Sequence, residues 1–428
     1  MMNKFENWLF YLFLFCIPIS VRHIFNYEAF NFIEWTAVYV YATDLILLVL
    51  FGFWIAQLKT RNYKLKTSPA DWFLLAFVVI AGLSITNASD VQTAVFQWFK
   101  LIEGVALYFY VKDYALKRFK LSHGFEALVL GGVFQAVIAI AQFMTQGSLG
   151  LKYLGESPLA PALTGIAAFF VDGIKVMRAY GTTPHSNVLA IFLFVALGAF
   201  YSIAIYQKRD WWWHVFHAVI LWAFLLTFSR VIIGLWLITF IVRSFLIRFY
   251  KPFHKEFWND KEMRRRSLKI FWTTIAVGVM FVAVYWPYVL NRSVISSADE
   301  AVQLRILYNQ QSLAGGHDIL GLGMGNFVPW LMTQNLHLDR NVYQPVHNIY
   351  LLIYAEIGIV GITLFLIFIG LVLYNYCRRT EFKKLYYFSF FLIGVVILVS
   401  GLFDHFLWTI QSGRLLFWLI LALLAGAD

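Results

Sequence analysis

Apolar runs about as long as a bilayer is thick recur along the chain, separated by shorter polar stretches. A helix needs ~20 apolar residues to cross ~30 Å of hydrocarbon, whereas a membrane β-barrel shows ~10-residue segments that alternate apolar and polar. The runs here are continuous, so they predict helices. These fall near residues 7–25, 36–57, 70–87, 91–111, 124–144, 186–206, 211–228, 230–249, 268–288, 347–374, 385–405 and 411–427. The expected fold class is an all-α polytopic membrane protein with about 12 transmembrane helices. It forms a single transmembrane domain over 1–428, with residues 289–346 as a long external loop between spans nine and ten.

Composition agrees with the pattern. Hydrophobic residues make up 61% and charged residues 13%, about half the roughly 25% charged share of a soluble domain. A net charge of +11 would raise nucleic acid as a partner in a soluble protein. Here the basic residues sort into alternate loops, as membrane orientation requires, and no nucleic acid is expected. The dense set holds Lys59, Arg61, Lys64 and Lys66; Lys112, Lys117, Arg118 and Lys120; and Lys208 and Arg209. It continues from Arg248 through Arg264, Arg265 and Arg266 to Lys269, and ends with Arg378, Arg379, Lys383 and Lys384. The sparse set is Arg22, Lys152, Lys175, Arg178, Arg230, Arg292, Arg305, Arg340 and Arg414. The positive-inside rule puts the dense loops, and with them both termini, in the cytoplasm. Lys4 precedes the first apolar run without a small-residue cleavage site, so that run is expected to be a retained span. Cys16 and Cys377 have neither metal-like spacing nor a reason to pair.

The informative loops are then external, at about 145–185 and 289–346. The second contains SSADEAVQLRILYNQQSLAGGHDILGLGMGNF, which reads as a helix followed by a glycine-punctuated turn. GLGMGN has no GK[ST], so it is not a nucleotide loop. The external set is biased towards arginine and histidine near span ends: Arg178, Arg230, Arg305 and Arg414, with His185, His347 and His405. Arginine is a fixed cation whose donor fork suits phosphate oxygens, and histidine accepts a proton near neutrality. Together they suit a lipid-linked phosphate donor and a proton transfer.

Each has a plainer reading beside it. Arg230 in LLTFSRVIIGLW sits between two apolar runs, where a charge is costly unless paired or in a wet cavity. A structural ion pair with Asp404 or Glu300 competes with function there. Arg305 lies on an amphipathic helix with Val302, Ile306 and Leu307 on one face, and is equally read as a solvated arginine. Arg178 is equally a headgroup anchor. His347 and Asn348 follow Pro345 and open a span, where free N–H groups and the positive dipole end keep an imidazole neutral; a capping histidine is the alternative. His185 in TTPHSN has the same setting with a stronger capping reading, while His317 and His337 read as solvated. Within the bilayer, Lys100 and Glu103 are spaced to neutralise each other, and Asp44 looks isolated. Trp211, Trp212 and Trp213 read as an interfacial belt.

Four segments, in order, resemble the O-antigen ligase and polymerase superfamily of bacterial membrane glycosyltransferases. RAYGTTPHSNVLA resembles its G-x-x-x-(H/P)-N-x-x-A segment, and LLTFSR its (L/F)-T-x-S-R junction. LRILYNQQSLAGGHDILGLGMGNF is similar to its R…(I/L)-x-G-x-G-x-G-x-F stretch. HNIYLLIYAEIGIVGIT is similar to its H-(N/S/Q)-x9-G-x-x-G motif, with His347, Asn348, Gly358 and Gly361 on the defining positions. The chain has GIVGIT where the ligase branch often has G-x-x-G-T-T, and HSN in place of HPN.

The resemblance implies a GT-C-like enzyme of the bacterial inner membrane with its site on the periplasmic face. It would move a glycan from undecaprenyl diphosphate to lipid A–core, with inversion and without metal or other cofactor. Arg230 and Arg305 would hold the diphosphate, and His347 would act as base. Arg178, His185, Asn187 and Asn348 would line the substrate cavity. The alternatives within the superfamily are a polysaccharide polymerase and a protein O-oligosaccharyltransferase. From another class, a lipid-linked glycan transporter or an ion-coupled transporter stays open, with Asp44, Lys100 and Glu103 as the intramembrane groups such a protein needs.

Overall fold

In the computed structural model the described residues are 2–25, 33–60, 67–293, 300–315, 318–334, 339–379 and 384–426. Arg61, Lys64, Lys66, His317, His337 and Lys383 lie outside them, as do the side chains of Lys59 and Glu300. The chain is predominantly helical. In order, the main helices are α1 (Met2–Cys16), α2 (Ala42–Thr60), α3 (Pro69–Leu83), α4 (Val91–Phe109), α5 (Leu121–Thr145), α6 (Ser186–Ala204) and α7 (Trp211–Leu226). They continue with α8 (Arg230–Phe249), α9 (Lys251–Asn259), α10 (Lys261–Val284), α11 (Glu300–Gly315), α12 (Ile349–Arg379), α13 (Leu385–Ser400) and α14 (Gln411–Ala425).

Among the described residues, seven helical stretches are long and apolar enough to cross a membrane: Pro69–Asn87, Val91–Arg118, Leu121–Thr145, Ser186–Ala204, Arg230–Phe249, Lys261–Val284 and Ile349–Arg378. Helices fall where the apolar runs predict them, and α8 matches its run at both ends. Two runs are trimmed for local reasons. α1 stops at Cys16 because Pro18 follows, and proline disfavours helical backbone in the residue before it. The run from 36 opens as a strand and becomes helical only at Ala42.

Two small antiparallel hairpins, absent from the hydropathy pattern, accompany the helices. β1 (Arg22–Ile24) pairs with β2 (Tyr39–Tyr41), and β3 (Ala168–Val171) with β4 (Ile174–Met177). The second turns on Asp172 and Gly173, both at positive φ (50° and 79°), the two-residue Asp-Gly turn whose twist matches the flanking strands.

The described chain forms two compact units interleaved in sequence. The first comprises Met1–Val21, Arg118–Ile295 and Thr380–Ile397. Its centre is α6, buried on nearly every face and packed on α5 and α7. Close approach there is set by small residues: a Cβ on Gly132 would meet the Ala196 Cβ at 2.7 Å, the kind of contact that brings membrane helices together. α8 and α10 expose most of their surface, and that surface is apolar, including Leu237, Ile238, Ile241, Val279 and Met280. A patch of that kind is unsuited to water and suited to lipid.

The second unit comprises Arg22–Lys117, Ser296–Arg379 and Leu398–Asp428. α12 packs on α3, α11 and α14, and α14 packs on α4. The start of α3 is pinned by Asp71. Its carboxylate accepts the Ser68 N–H (2.5 Å), the Tyr108 hydroxyl (2.9 Å) and the Lys112 ammonium (2.5 Å), the last from a π-turn at Tyr110–Ala115. Asp44 is not isolated as the sequence pattern suggested. Lys100 bonds both Asp44 and Glu103 (2.8 Å to Glu103), and Gln411 donates to Asp44 (2.6 Å) and Glu103 (3.2 Å). Spacing along one helix reveals the Lys100–Glu103 pair but carries nothing about a partner on α2.

Two of the quoted glycine motifs interlock in this unit. α12 is interrupted at Gly358 (φ 75°, ψ −174°), and the turn at 318–326 fits into the break. The Leu322 N–H donates to the Ala355 carbonyl at 2.9 Å. A Cβ on Gly358 would lie 2.1 Å from the Ile319 carbonyl oxygen, and one on Gly321 2.6 Å from that of Ala355. Asn326 fastens the turn's other end by accepting from the Asp90 N–H (2.7 Å) and the Ser89 hydroxyl (3.1 Å). The glycines are therefore required by backbone lying on backbone.

Candidate functional site

In the second unit, α12 begins at Ile349, two residues later than the span start at His347 expected after Pro345. Asn348 is its cap: its side-chain oxygen accepts the N–H groups of Tyr350 (2.9 Å) and Leu351 (3.2 Å), two of the donors a helix start leaves open. His347 is thereby left outside the first turn with its ring free of capping duty.

That ring meets four neighbours. Its Nδ1 lies 3.5 Å from Asp404 Oδ1, within ion-pair reach but making no hydrogen bond. Its Nε2 has a long 3.3 Å contact with the Gln344 side-chain oxygen. On one side the Tyr308 ring lies nearly parallel, centroids 5.9 Å apart, held by a hydrogen bond from its hydroxyl to the Val342 carbonyl. On another stands His405, centroid to centroid 4.8 Å. His405 is itself fixed by Thr409 Oγ1 at its Nδ1 (2.7 Å) and by the edge of Trp35 (5.0 Å). Asp404 accepts the His405 N–H at 2.8 Å.

His347, Asp404 and His405 offer one ligand atom each, all within 4.8 Å of one another. Two imidazoles and a carboxylate are ligands that zinc accepts. They also make a base with a carboxylate behind it.

Thr409 and Trp35 face a second, polar cavity of about 30 Å³ lined by Arg22, Glu34, Tyr39, Tyr41, Lys100, Gln411 and Arg414. Arg22 pairs with Glu34 (2.9 Å) and lies over the Tyr39 ring at 4.5 Å. Burial opposes the Arg22 charge, but Tyr41, Glu34 and Tyr39 outweigh it and its pKa is raised. Burial pushes the Tyr39 hydroxyl up as well. Arg414 is buried, and its guanidinium is used on the Trp408 carbonyl (2.9 Å), the Thr409 carbonyl (3.3 Å) and Gln97 (2.9 Å). It binds the carbonyl end of the short helix Phe406–Thr409, where a cation is favoured.

Arg305, on α11, is half-buried. It stands one turn before Tyr308 and so on the same helix face.

In the first unit, α7 and α8 are joined at Thr227–Ser229, where Phe228 has φ 45°, costly for a residue with a side chain. Three predicted residues hold this junction or the helix start beside it. Arg178 is buried and donates to the Thr227 carbonyl (2.5 Å) and to Asn187 (2.6 Å), and Asn187 also accepts from the Ser229 hydroxyl (3.0 Å). His185 Nδ1 accepts the Asn187 N–H at 3.1 Å, which makes it the cap of α6.

The junction opens onto a cavity of about 880 Å³ lined by α8 and α10. Its walls are apolar (Ile233, Leu237, Val279 and Val282 among them), and its cations are Arg230 and Arg292, near Phe228. Arg292 reaches the Phe228 carbonyl at 3.4 Å and stacks over Phe169 at 5.6 Å. Arg178, His185 and Asn187 are not among its lining residues. An apolar trough ending in guanidinium groups matches the two parts of a lipid phosphate.

Sequence reading did not single out Tyr308, Trp35, Thr409 or Arg292 as site residues, and it took Asp404 only as a partner for Arg230. The available signal for Asp404 and His405 was a titratable pair between apolar runs, in SGLFDHFLWT. Comparison of the chain with protein-family models and with curated proteins finds no match in either.

Proposed function

We propose that this chain is a membrane glycosyltransferase of the O-antigen ligase and polymerase superfamily. It transfers a glycan from undecaprenyl diphosphate to an acceptor hydroxyl, lipid A–core in the ligase reading, at the periplasmic face of the inner membrane. The observation that carries the proposal is the His347 imidazole, freed from capping by Asn348 and backed at Nδ1 by Asp404. With Nδ1–H turned to the carboxylate, Nε2 is the basic nitrogen, the arrangement that orients a histidine as general base. Turned over, the Gln344 amide donates to an unprotonated Nε2, and the acceptor hydroxyl takes the place of that long 3.3 Å contact.

In the step, the acceptor O–H proton goes to His347 Nε2 as the acceptor oxygen bonds to the anomeric carbon from the opposite face. The bond from that carbon to the diphosphate breaks, and undecaprenyl diphosphate leaves with its electrons. Fixed cations stabilise the leaving charge without reorganising. Arg230 and Arg305 are the residues the resemblance implies. For Arg230 the support is its position at the end of an apolar trough, and for Arg305 its position one turn from Tyr308.

A second reading has one observation in its favour, the His347, Asp404 and His405 cluster as a metal centre. One assay separates the two. Purified protein receives an undecaprenyl-diphosphate glycan and lipid A–core, as wild type, with EDTA, and as His347→Ala. Transfer by wild type, unaffected by EDTA and reduced on the order of 10²–10⁴-fold in the variant, is expected. Loss with EDTA and recovery with zinc would mean a metal enzyme. Ladders of longer lipid-linked glycan would mean a polymerase. No product with either acceptor would sink the ligase and polymerase readings.

A further inference from the structure

A cavity of about 80 Å³ in the first unit, lined by α6, α8, α10 and α13, contains Arg243. It lies at the end of α8 remote from Arg230 and takes no part in the function proposed above. Arg243 Nε has one long contact, 3.4 Å to the Ser389 hydroxyl, and its Nη2 is fully enclosed without a hydrogen bond. The Ser267 hydroxyl, on the same lining, is also enclosed without a partner. Among the described residues no carboxylate comes within ion-pair distance of Arg243. Tyr206, Tyr201 and Glu256 act on it through space, but the Glu256 carboxylate already accepts the Leu385 N–H at 2.8 Å.

A guanidinium with an enclosed, idle donor, beside a hydroxyl equally idle, lacks an acceptor. The space is several times the ~10–15 Å³ one water needs, enough for a tetrahedral oxyanion. The remaining lining is apolar (Phe194, Phe240, Ile270, Phe271), and Phe240 and Phe271 are only half-buried, so the cavity reaches the outer surface of the helices.

A separate observation indicates which anion. α9 follows α8 directly and packs on it. It buries Phe253 and Phe257 while exposing Lys251, Lys255 and Trp258. Arg264 stacks on Trp258 at 5.0 Å, and Arg265 and Lys269 are exposed beside it. A short amphipathic helix with basic residues and a tryptophan is an element that lies in the headgroup layer and gathers anionic lipid.

We propose that the Arg243 cavity binds the phosphate group of an anionic membrane phospholipid. The phosphate accepts from Arg243 Nη2 with the Ser267 hydroxyl in reach, and an acyl chain leaves past Phe240 and Phe271.

The test uses purified full-length protein, with phosphatidylglycerol, phosphatidylcholine and inorganic phosphate as separate probes. Binding is read by native mass spectrometry and stability by thermal unfolding. Wild type is expected to retain one phosphatidylglycerol at least tenfold more tightly than Arg243→Met, and to melt several degrees higher in phosphatidylglycerol than in phosphatidylcholine. The variant should lose that difference yet melt no lower than wild type in phosphatidylcholine, because it removes an unpaired enclosed charge. Equal retention by both proteins overturns the proposal. A shift reproduced by inorganic phosphate alone overturns its assignment to a lipid. If Arg243→Met does not fold, Ser267→Ala is expected to weaken phosphatidylglycerol about threefold, and unchanged binding there overturns it equally.

Discussion

His347 and His405 face each other in the second unit, but their surroundings assign them different work. Thr409 occupies His405 Nδ1 at 2.7 Å, and the Trp35 edge closes one approach to its ring. His347 has a carboxylate 3.5 Å from one nitrogen and only a long amide contact at the other. A small rotation brings Nδ1–H onto Asp404, fixes the tautomer and leaves Nε2 to accept a proton. Asp404→Asn keeps the shape and removes the charge that stabilises the protonated ring. It is expected to lower kcat on the order of 10²–10⁴-fold with KM nearly unchanged, whereas His405→Gln should cost under tenfold. Steady-state kinetics on the lipid-linked donor check both. If His405→Gln proves the more damaging, His405 is the base and the present assignment is wrong.

At the scale of elements, the meeting of the 318–326 turn with the break in α12 makes a sharp prediction. Gly358 combines a backbone conformation open essentially to glycine alone with a carbonyl oxygen where a Cβ would sit. Gly358→Ala is expected to cost about 3 kcal/mol or more and lower the melting temperature by several degrees. Gly370→Ala, on the same helix with nothing within 4 Å of the new Cβ, should leave it unchanged or raise it slightly, as helix propensity predicts. Equal effects would mean that the turn does not lie in the break.

The helices themselves were legible because hydropathy sums over ~20 residues and tolerates local exceptions. Even so, the trimmed starts and ends came from features shorter than that sum, Pro18 and the strand Tyr39–Tyr41. The hairpins are three and four residues per strand, below what a window registers, although Val171-Asp172-Gly173-Ile174 carried the turn signal. The candidate site divides in the same way. Histidine at a span start, and glycines at fixed spacing, are local patterns and were readable. The Asp404–His347 approach, the Lys100–Asp44 bond and the idle Arg243 are contacts between distant segments, and periodicity holds no information on them. Burial of Arg178 and Arg414 was hidden for the same reason, since an arginine near a span end looks alike whether it faces water or binds carbonyls.

For the whole molecule, the number of crossings decides which residues share a face of the membrane, and parity makes this testable. The apolar and basic-loop pattern predicts about twelve crossings with both termini cytoplasmic, and the proposed function needs His347 on the periplasmic face. Among the described residues, seven helical stretches meet the length for crossing unaided. The shorter apolar helices Ala42–Leu58, Trp211–Leu226, Leu385–Ser400 and Gln411–Ala425 span ~22–26 Å at 1.5 Å per residue, against ~30 Å of hydrocarbon. Such helices cross only with help from flanking residues or local thinning. The flanks here are suited to it: Gln411–Ala425 is preceded by the apolar short helix Phe406–Thr409, and Trp211–Leu226 begins on three tryptophans. Cys377 is exposed near the end of α12, on the cytoplasmic side if the basic loops are inside. In intact spheroplasts an impermeant maleimide is expected to spare Cys377 and, in a Cys377→Ser background, to label Ser157→Cys in the 145–185 loop. Inverted vesicles should reverse the pattern for Cys377. Labelling of Cys377 and Ser157→Cys from the same side would mean that an odd number of these helices fails to cross between them. His347, at the opposite end of α12 from Cys377, would then lie on the cytoplasmic face if both are labelled from outside, and on the periplasmic face if both are labelled from inside. The pair of labels therefore decides whether the proposed base meets periplasmic or cytoplasmic acceptors.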